Sequence, residues 1–541
     1  MKKLLLILLS FTLLAQAHAQ VVRLVKDLNP GSPDGFAEGA SDAGLLTSLD
    51  SVLIFIAYGK GNSRILCRSD AKSISTVPLV PPFASNETFA GWAVSDGVLW
   101  FAVNRPTKAD LYSSDGTVAG TTLRHSTDGA RFTKLRGFRG GVIFHKHIDP
   151  SDELLTYFPN GGAAPQNIRQ FNPIAGGILD LAVVGDRFAF GIGATETGVT
   201  DRYLFRYDGQ TSLFEKVQLL NTGNEFNTGI HMTPVGNRVF FFFQKNSQTK
   251  TLWTSDGTDA GTIQLKNMTT ETTNSLVPLG IMADFGGKLV FRGKSTTQNV
   301  GTEIWISDGT PNGTTLLKDI AVGPDSGMPQ DFTVWNGRLY FTALNGAANS
   351  ELWATDGTTG GTQRVLPDFA FNEGHGYGLT VFNDSLAFGG FEAATGSELM
   401  MCKGNEASLH VVSNASAAGQ NTFLPSNLMP AGKRLFFAAE TASIGRELWV
   451  YEPYVKASSS TKQADFQQVL QISPNPGSDW LRVDLPENEA GLLRVFAADG
   501  RLFFQREITG KTTLETADWP QGMYHLQFAG PKTAAAGVWV K

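Results

Sequence analysis

The order of apolar and polar residues along the chain predicts short β-strands that are buried on both faces. The clearest stretch has four strand candidates, at residues 331–335, 338–343, 351–355 and 362–366. Their apolar side chains do not keep to one face, since Leu339 and Phe341 point one way and Tyr340 points the other. Asn336-Gly337 predicts a hairpin turn between the first two strands, because both residues tolerate a positive φ. A small sheet with two apolar faces needs a neighbouring sheet on each side.

This four-stranded unit recurs along most of the chain. Its third strand and the following turn carry the string E-L-W-x-x-D-G-T-x-x-G-T, which is complete from residue 351 to residue 362. Further copies have their turns at Asp115, Asp256 and Asp308, and degenerate copies lie at Leu204, Glu398 and Glu447. A second marker, G-x-L-x-F, precedes each copy and ends at Phe55, Phe101, Phe144, Phe190, Phe241, Phe291, Phe341, Phe388 and Phe437. The markers are 43 to 51 residues apart, and this near-constant period defines nine repeats.

Four-stranded sheets at this period predict the blades of a β-propeller in an all-β chain. The last unit stops after its second strand, at residues 447–451, and residues 23–28 match the third strand of a unit, at residues 316–320. The N-terminus therefore supplies what the last unit lacks, which favours a closed ring over an open solenoid. The repeat count predicts nine blades. Because the first and third units are the most degenerate, eight blades with one irregular segment are the alternative.

Composition agrees with this architecture and excludes several classes of protein. Gly (59) and Phe (37) are abundant and only 17% of the residues are charged, which excludes coiled-coil, collagen-like and disordered chains. A net charge of −6 argues against a nucleic-acid-binding protein with a basic face. The two cysteines, Cys67 and Cys402, are expected to be small buried hydrophobes in separate units rather than a disulfide framework.

The N-terminus has the features of a secretory signal peptide at residues 1–19. Lys2 and Lys3 precede an apolar run at residues 4–15, and a small-x-small site ends at Ala19, so that cleavage leaves Gln20 first. The run is too short to span a bilayer comfortably, and no later segment approaches the required length. We expect an exported protein, secreted or on the outer cell surface, without a transmembrane segment.

The propeller is assigned to residues 20–454, where the repeats resemble the ELWxxDGT repeat family of bacterial exported proteins. This resemblance is specific as a repeat signature and implies no defined activity. Cys67 and Met400 stand where other units have Trp, and Lys403 stands where they have Asp. A ligand that requires an Asp from every blade is therefore not expected.

Residues 455–467 are polar and Ser-rich, which predicts a linker, and residues 468–541 lack the repeat. This last segment resembles the type A C-terminal sorting domain of type IX secretion (T9SS) in the Bacteroidetes. The matching residues are Pro474, Asn475, Pro476, Asp499, Gly500, Arg501, Gly522, Tyr524 and Lys541. The resemblance implies a small immunoglobulin-like β-sandwich that is recognised by the outer-membrane translocon and then removed, with release or surface attachment. Alternation at residues 481–485 and 524–528 independently predicts half-buried strands.

The Asp-Gly-Thr turns are the most obvious candidate site. Asp115, Asp256, Asp308 and Asp356 could bind Ca²⁺ with neighbouring Thr hydroxyls, since Ca²⁺ takes six to eight oxygen ligands. Their spacing lacks the dense Asp-x-Asp-x-Asp of a calcium loop. An Asp in a turn can instead accept hydrogen bonds from its own loop, while Gly supplies the positive φ. We expect turn structure and no cofactor, with calcium as the alternative.

Other chemistry-bearing residues give weaker signals. His145 and His147 share a face if their segment is a strand, but zinc needs a third ligand that the sequence does not name, so a packing role is expected. No nucleophile-elbow, zincin, P-loop or dinucleotide motif occurs. The Trp and Tyr residues of the E-L-W strands could stack on sugars, but their fixed place in each unit predicts packing within the blade.

Together these patterns favour a monomeric, non-enzymatic binding or adhesion protein whose propeller face binds a glycan or a protein. The alternative is a glycan-active hydrolase or lyase with its site at the channel mouth. That alternative requires carboxylate, Arg and Tyr side chains from several blades to meet there. A structural role in the cell envelope is a third possibility that the sequence leaves open.

Overall fold

The computed structural model of the chain is almost entirely β-structure. It describes residues 21–26, 28, 45–58, 64–72, 76–148, 152–171, 177–194, 201–221, 231–244, 249–269, 281–345, 350–366, 370–371, 378–392, 396–413, 423–441, 445–453, 468–473, 479–485, 490–497, 502–517, 519–520, 523–529 and 534–541. Within these ranges the one helical element is a 3₁₀ turn at Glu406–Ser408, and no helix is long and apolar enough to cross a membrane. The chain divides into a unit at Arg23–Val450 and a second unit that contains Tyr451–Lys541.

The described residues of the larger unit form nine sheets, which are the blades of a β-propeller. Blades 1 to 3 are β2 (Leu45–Leu49), β3 (Val52–Tyr58), β4 (Arg64–Ser69) and β5 (Val77–Pro78); β6 (Thr88–Ser95), β7 (Val98–Asn104), β8 (Lys108–Ser114) and β9 (Thr122–Asp128); and β10 (Ala130–Phe138), β11 (Gly141–Ile148), β12 (Asp152–Phe158) and β13 (Gln166–Phe171). Blades 4 to 6 are β14 (Ile178–Val184), β15 (Phe188–Gly193), β16 (Arg202–Asp208) and β17 (Leu213–Asn221); β18 (Met232–Val235), β19 (Arg238–Gln244), β20 (Thr249–Ser255) and β21 (Ile263–Thr269); and β22 (Met282–Phe285), β23 (Lys288–Gly293), β24 (Glu303–Ser307) and β25 (Thr315–Lys318). Each blade is a sheet of four strands in chain order.

The last three blades include two departures from this plan. Blade 7 is β26 (Gln330–Trp335), β27 (Arg338–Leu344), β28 (Ser350–Thr355) and β29 (Gln363–Leu366). Blade 8 has five strands, β30 (Ala370–Phe371), β31 (Thr380–Val381), β32 (Leu386–Glu392), β33 (Gly396–Cys402) and β34 (His410–Val411), and both β30 and β31 pair with β32. Blade 9 combines β35 (Ser426–Ala431), β36 (Arg434–Thr441) and β37 (Gly445–Glu452) with the N-terminal strand β1 (Val21–Lys26). The nine blades that the repeat count favoured are confirmed.

Register follows the two sequence markers. The strands predicted in blade 7 agree with β26 to β29 to within one residue at each end. Phe341 of the marker strand lies opposite Trp353 of the E-L-W strand. The nine marker phenylalanines are fully buried, and burying a side chain of this size contributes about 1.5–3 kcal/mol. The marker Phe is therefore a core residue in each blade, as its repetition predicted.

Apolar side chains fill the space between successive blades. Trp100 of blade 2 packs in one cluster with Phe132 and Phe144 of blade 3, and Ile306 of blade 6 packs with Phe341 of blade 7. The innermost strands of successive blades approach one another from β6 round to β35 and on to β2. They are the first strands of their blades, except in blade 8, where β31 takes this place. Residues on these innermost strands are the ones that a ligand in the central channel meets.

The N-terminal strand closes the ring. It is the outer strand of blade 9, next to β37, and Val25 packs in one cluster with Leu448 of blade 9 and Phe55 of blade 1. The Leu28 N–H donates to Glu447 Oε2 at 2.9 Å, and Lys26 Nζ donates to the Thr76 carbonyl of blade 1 at 2.9 Å. These contacts attach the N-terminal segment to blade 9 on one side and to blade 1 on the other.

The same two contacts occur inside the ring. The Ile320 N–H donates to Glu303 Oε2 at 2.9 Å, and Lys266 Nζ of blade 5 donates to the Thr314 carbonyl of blade 6 at 3.1 Å. The N-terminal strand is therefore held by the same two kinds of hydrogen bond that occur at blades 5 and 6. The expected strand count of the last unit was wrong: it contributes three strands rather than two, and β1 is the fourth strand of its blade. The reason is that Ser426–Ala431 precedes the marker and carries no marker of its own.

The second unit contains a small two-sheet β-sandwich. Its strands are β38 (Gln468–Val469), β39 (Gln471–Ser473), β40 (Trp480–Asp484), β41 (Ala490–Ala497), β42 (Leu502–Thr509), β43 (Lys511–Glu515), β44 (Met523–Ala529) and β45 (Ala534–Val540). Strands β38-β45-β44-β41-β42 form one sheet and β39-β40-β43 the other. Leu481, Leu493, Leu526 and Trp539 are fully buried in its core. The alternation predicted at residues 481–485 and 524–528 is confirmed, whereas the linker at residues 455–467 lies outside the described residues.

Candidate functional site

The Asp-Gly-Thr turns join the third and fourth strands of their blades and use the Asp carboxylate within the turn. In blade 7, Asp356 Oδ1 accepts hydrogen bonds from the Thr358 N–H at 2.9 Å and the Thr358 hydroxyl at 2.7 Å. Thr358 Oγ1 accepts in turn from the Gly361 N–H at 2.9 Å. The turns at Asp115, Asp256 and Asp308 repeat these three bonds. Each Asp therefore accepts hydrogen bonds from its own loop, as the turn interpretation expects.

The two glycines of each motif serve different purposes. Gly357 has a φ of +88°, in the left-handed region that favours glycine. Gly361 has no such φ, but a Cβ added there would overlap the Asp356 carboxylate. The equivalent glycines of the other three turns, Gly120, Gly261 and Gly313, have the same close neighbour. The second glycine therefore makes room for the Asp side chain.

The hydrogen bonds of the turn also favour the charged carboxylate. Those from the following Thr hydroxyl are the main cause of a lowered pKa at Asp115, Asp308 and Asp356. At Asp256 burial acts to raise the pKa, but the bonds from Thr258 outweigh it. Within the described ranges, no group of three or more His, Cys, Asp and Glu side chains is arranged to hold a metal ion. At these turns one carboxylate oxygen, Oδ1, is taken up by hydrogen bonds from the loop itself.

A fifth turn of this kind in blade 1 was missed in the sequence. Ser69 Oγ lies 2.8 Å from Thr76 Oγ1, as Ser307 Oγ and Thr314 Oγ1 lie 2.8 Å apart in blade 6. Ala71 occupies the position of the first glycine and keeps its left-handed conformation, with a φ of 73°. An alanine in this conformation gives no sequence signal, because alanine is not a turn residue.

Buried acids at the start of the third strand are a second repeated feature that sequence reasoning missed. They are at most 2% exposed and comprise Asp110, Glu303, Glu351, Glu398 and Glu447. Glu303 accepts the backbone N–H groups of Ile320 at 2.9 Å, Ala321 at 3.3 Å and Gly327 at 2.7 Å. Burial nevertheless raises the pKa of Glu303 above its usual range. This acid fixes the connection to the next blade, so the Glu of the E-L-W string is a structural residue there.

The aromatic residue of the E-L-W string packs within its own blade in three clear cases. Tyr112 stacks on Phe101 at a centroid distance of 5.0 Å, Trp253 on Phe241 at 6.3 Å, and Trp305 on Phe291 at 6.4 Å. These rings are partners of the marker Phe, which agrees with the packing interpretation rather than with sugar stacking. Cys67 and Cys402, which depart from the repeat pattern, are buried free thiols.

His145 and His147 lie on β11 and share a face, and both are bonded to Glu153 of β12. Glu153 Oε2 pairs with His145 Nε2, and Glu153 Oε1 lies 2.6 Å from His147 Nδ1. Thr133 Oγ1 lies 3.1 Å from His145 Nδ1. Burial acts to raise the pKa of Glu153, but the two histidines outweigh it and lower that pKa. Glu153 could not be recognised from the sequence as the partner of both histidines, because it faces them only through strand pairing.

A group of polar side chains lies on the innermost strands of blades 3 and 4 and directly before that of blade 5. We name Lys134, Arg136, Asp180 and His231 the inter-blade cluster. Arg136 Nη2 of blade 3 lies 3.1 Å from Asp180 Oδ1 of blade 4. Asp180 Oδ2 accepts the Met232 N–H of blade 5 at 3.0 Å. Burial lowers the pKa of His231, and the charges of Arg136 and Lys134 add to this effect while Asp180 opposes it. The group joins three blades next to the axis.

Two of the predicted sorting residues lie in the described part of the sandwich. The Tyr524 hydroxyl donates to the Pro520 carbonyl at 2.7 Å, and its ring packs on Trp539. Lys541 Nζ donates to the carbonyls of Thr516, Ala517 and Trp519, each at 2.6 Å. The other predicted residues lie outside the described ranges, namely Ala19, Gln20, Pro474, Asn475, Pro476, Asp499, Gly500, Arg501 and Gly522.

No protein-family model and no curated protein matches the chain. Among solved structures it is similar to one from an analysis of two prolyl endopeptidases, at 13% identity over 66% of this chain and 55% of that one, with a TM-score of 0.38. It is also similar to Saccharomyces cerevisiae Sqt1, at 12% identity over 69% and 98% with a TM-score of 0.38. The β-propeller domain of the Trilobed protease from Pyrococcus furiosus matches at 10% identity over 68% and 97%, with a TM-score of 0.33. The chain spans about half the length of the prolyl endopeptidase. At these TM-scores the likenesses say nothing of activity, and the propeller assignment rests on strand pairing.

Proposed function

We propose that this β-propeller protein is an exported binding protein, secreted or held on the outer cell surface, whose propeller binds a glycan or a protein. The support comes from a contrast between repeated and unrepeated polar residues. The repeated Asp-Gly-Thr turns use their carboxylates and hydroxyls internally, and the buried Glu303 holds a connection. Among the residues that the structure describes, the inter-blade cluster occurs once, next to the axis. A rigid scaffold that carries a single polar site is typical of binding proteins.

The binding proposal is tested with the purified protein on a glycan array and against surface proteins, followed by a turnover assay on every glycan that binds. We expect binding without turnover. Turnover of a bound glycan would replace this proposal with the hydrolase or lyase alternative. Failure to bind any glycan or surface protein would contradict it.

We propose further that residues 468–541 direct type IX secretion. The support is the motif resemblance described above together with a small two-sheet sandwich in that region. Deleting residues 468–541 should leave the protein in the periplasm, whereas substituting the exposed Trp480 by Gln serves as a control for a surface change in the same domain. Undiminished appearance of the truncated chain outside the cell would contradict the sorting assignment.

A further inference from the structure

We propose that the inter-blade cluster binds the carboxylate of an acidic sugar, with Lys134 and Arg136 as the binding residues. This inference rests on the proposed binding function and names its ligand class. The protein as a whole is acidic, with a net charge of −6. A pair of cations on an innermost strand is therefore a local feature and not a property of the surface in general.

The backbone places Lys134 in a bulge that recurs on innermost strands, where Asp331 of blade 7 and Asn427 of blade 9 are also left-handed. A bulge interrupts the pairing of β10 with β11 between Thr133 and Arg136, and Lys134 within it has a φ of 56°. A lysine gains nothing intrinsic from this left-handed region, which costs a non-glycine residue conformational energy. Since other blades share this bulge, the feature particular to blade 3 is that a lysine occupies its left-handed position, where the bulge redirects the side chain. Among the described carboxylates, none forms an ion pair with Lys134, so its ammonium group is available to a ligand.

Arg136 is oriented by its protein contacts and still reachable. Its Nη2 is held by Asp180 Oδ1 at 3.1 Å and its Nη1 by the Leu135 carbonyl at 2.9 Å. The side chain is 37% exposed, whereas that of Asp180 is 6% exposed. Asp180 Oδ1 also accepts the Leu181 N–H at 2.8 Å. Asp180 is thus a positioning residue that fixes the guanidinium, and a preoriented guanidinium suits a planar carboxylate.

The surroundings favour a sugar acid over an acidic peptide. The apolar residues of β10, Phe132, Leu135 and Phe138, are buried, so the strand offers no exposed apolar surface for peptide side chains. The neighbouring His231 has a lowered pKa and is therefore a neutral hydrogen-bonding group at pH 7, suited to a hydroxyl. A uronic acid presents a carboxylate and hydroxyls from one ring, which matches cations beside a neutral imidazole.

The test is isothermal titration of the full chain with galacturonate oligomers, neutral galactose oligomers and a poly-glutamate peptide of similar length. Lys134→Asn removes the charge while keeping a residue that tolerates a left-handed φ, and Arg136→Gln removes the second charge. Each should weaken binding of the galacturonate oligomer about tenfold or more, since a hydrogen bond to a charged group is lost. Lys134→Arg should restore binding, and Arg131→Gln, on the same strand but outside the cluster, is the matched control.

Equal affinity of wild type and Lys134→Asn, or equal binding of the neutral oligomer, would overturn the proposal. Tighter binding of the poly-glutamate peptide would assign the site to an acidic protein partner instead. Folding of each variant is checked by its unfolding temperature. If the protein binds other glycans or proteins but none of these acidic sugars, this inference fails while the proposed binding function stands.

Discussion

Replacing Gly361 with alanine should destabilise the propeller, whereas the same change at the adjacent Gly360 should not. A Cβ at Gly361 would overlap the Asp356 carboxylate, but a Cβ at Gly360 meets nothing within 4 Å. Neither residue has a positive φ, so backbone strain does not separate them. The two variants differ only in whether the added methyl group displaces the Asp that organises the turn.

The expected difference follows from the cost of each methyl group. Forcing an extra methyl group into a filled site costs about 1–3 kcal/mol, while Gly→Ala at a compatible site stabilises by about 0.4–1 kcal/mol through the unfolded chain. An unfolding entropy of about 2.1 cal/mol/K for each of roughly 430 residues gives about 0.9 kcal/mol/K. Gly361→Ala should therefore unfold about 2–4 °C below Gly360→Ala.

The assay is thermal unfolding of the full chain followed by tryptophan fluorescence, with hydrogen exchange of the blade 7 amides as a local readout. Asp356→Ala removes the overlapping carboxylate, so in that background Gly361→Ala and Gly360→Ala should behave alike. Equal unfolding temperatures of the two single variants would refute the steric account. A difference that persists in the Asp356→Ala background would show that something other than this carboxylate meets the methyl group.

Three further outcomes follow from the structure. A chain that lacks Val21–Lys26 should unfold at a lower temperature and scatter more light, since β37 loses its outer neighbour; an unchanged unfolding temperature would contradict the closure. Because the pKa of Glu153 is lowered in the fold, its ionisation stabilises the protein fully above its ordinary pKa of about 4.5. The advantage of wild type over Glu153→Gln should be lost below that value, as the pH falls through the lowered pKa of the folded state. Burial raises the pKa of Asp331 to about 6, so its ionised form destabilises the fold above that pH. Asp331→Asn should therefore raise the unfolding temperature at pH 8, by an amount that corresponds to at most about 3 kcal/mol, and should have little effect at pH 4, which a melting series across this range checks.

The blades could be predicted from the sequence because the same strand pattern occurs in nine repeats. The period places Phe341 and its equivalents, and hairpin signals such as Asn336-Gly337 delimit the strands, so errors in one unit are corrected by others. The turn at Ala71 was not predicted because Ala71 and Ser75 stand where the motif has its two glycines. The strand β35 was not counted in the last unit because it carries neither of the two sequence markers.

Side-chain partners were predictable within a turn and not across strands or blades. Asp356 and Thr358 are two positions apart, and local geometry brings them together. Glu153 meets His147 only through the pairing of β11 with β12, and Arg136 meets Asp180 only because blades 3 and 4 are neighbours in the ring. Spacing along the chain says nothing of such distances, so the inter-blade cluster became visible only in the structure.

The closing strand has a consequence for the order in which the protein is made. The Leu28 N–H and the Glu447 carboxylate that receives it are 419 positions apart. At about 5–20 residues per second, roughly 20–80 s separate their synthesis. Throughout that interval β37, the strand that pairs with β1 in the folded protein, has not been made. An unpaired strand can form hydrogen bonds with other strands or other chains. Arg23 and Lys26 place two positive charges in this six-residue strand. These charges oppose aggregation of the strand before it pairs. Of the described strands, β1 is thus synthesised first, and it can pair with its native partner only after β37 has been made.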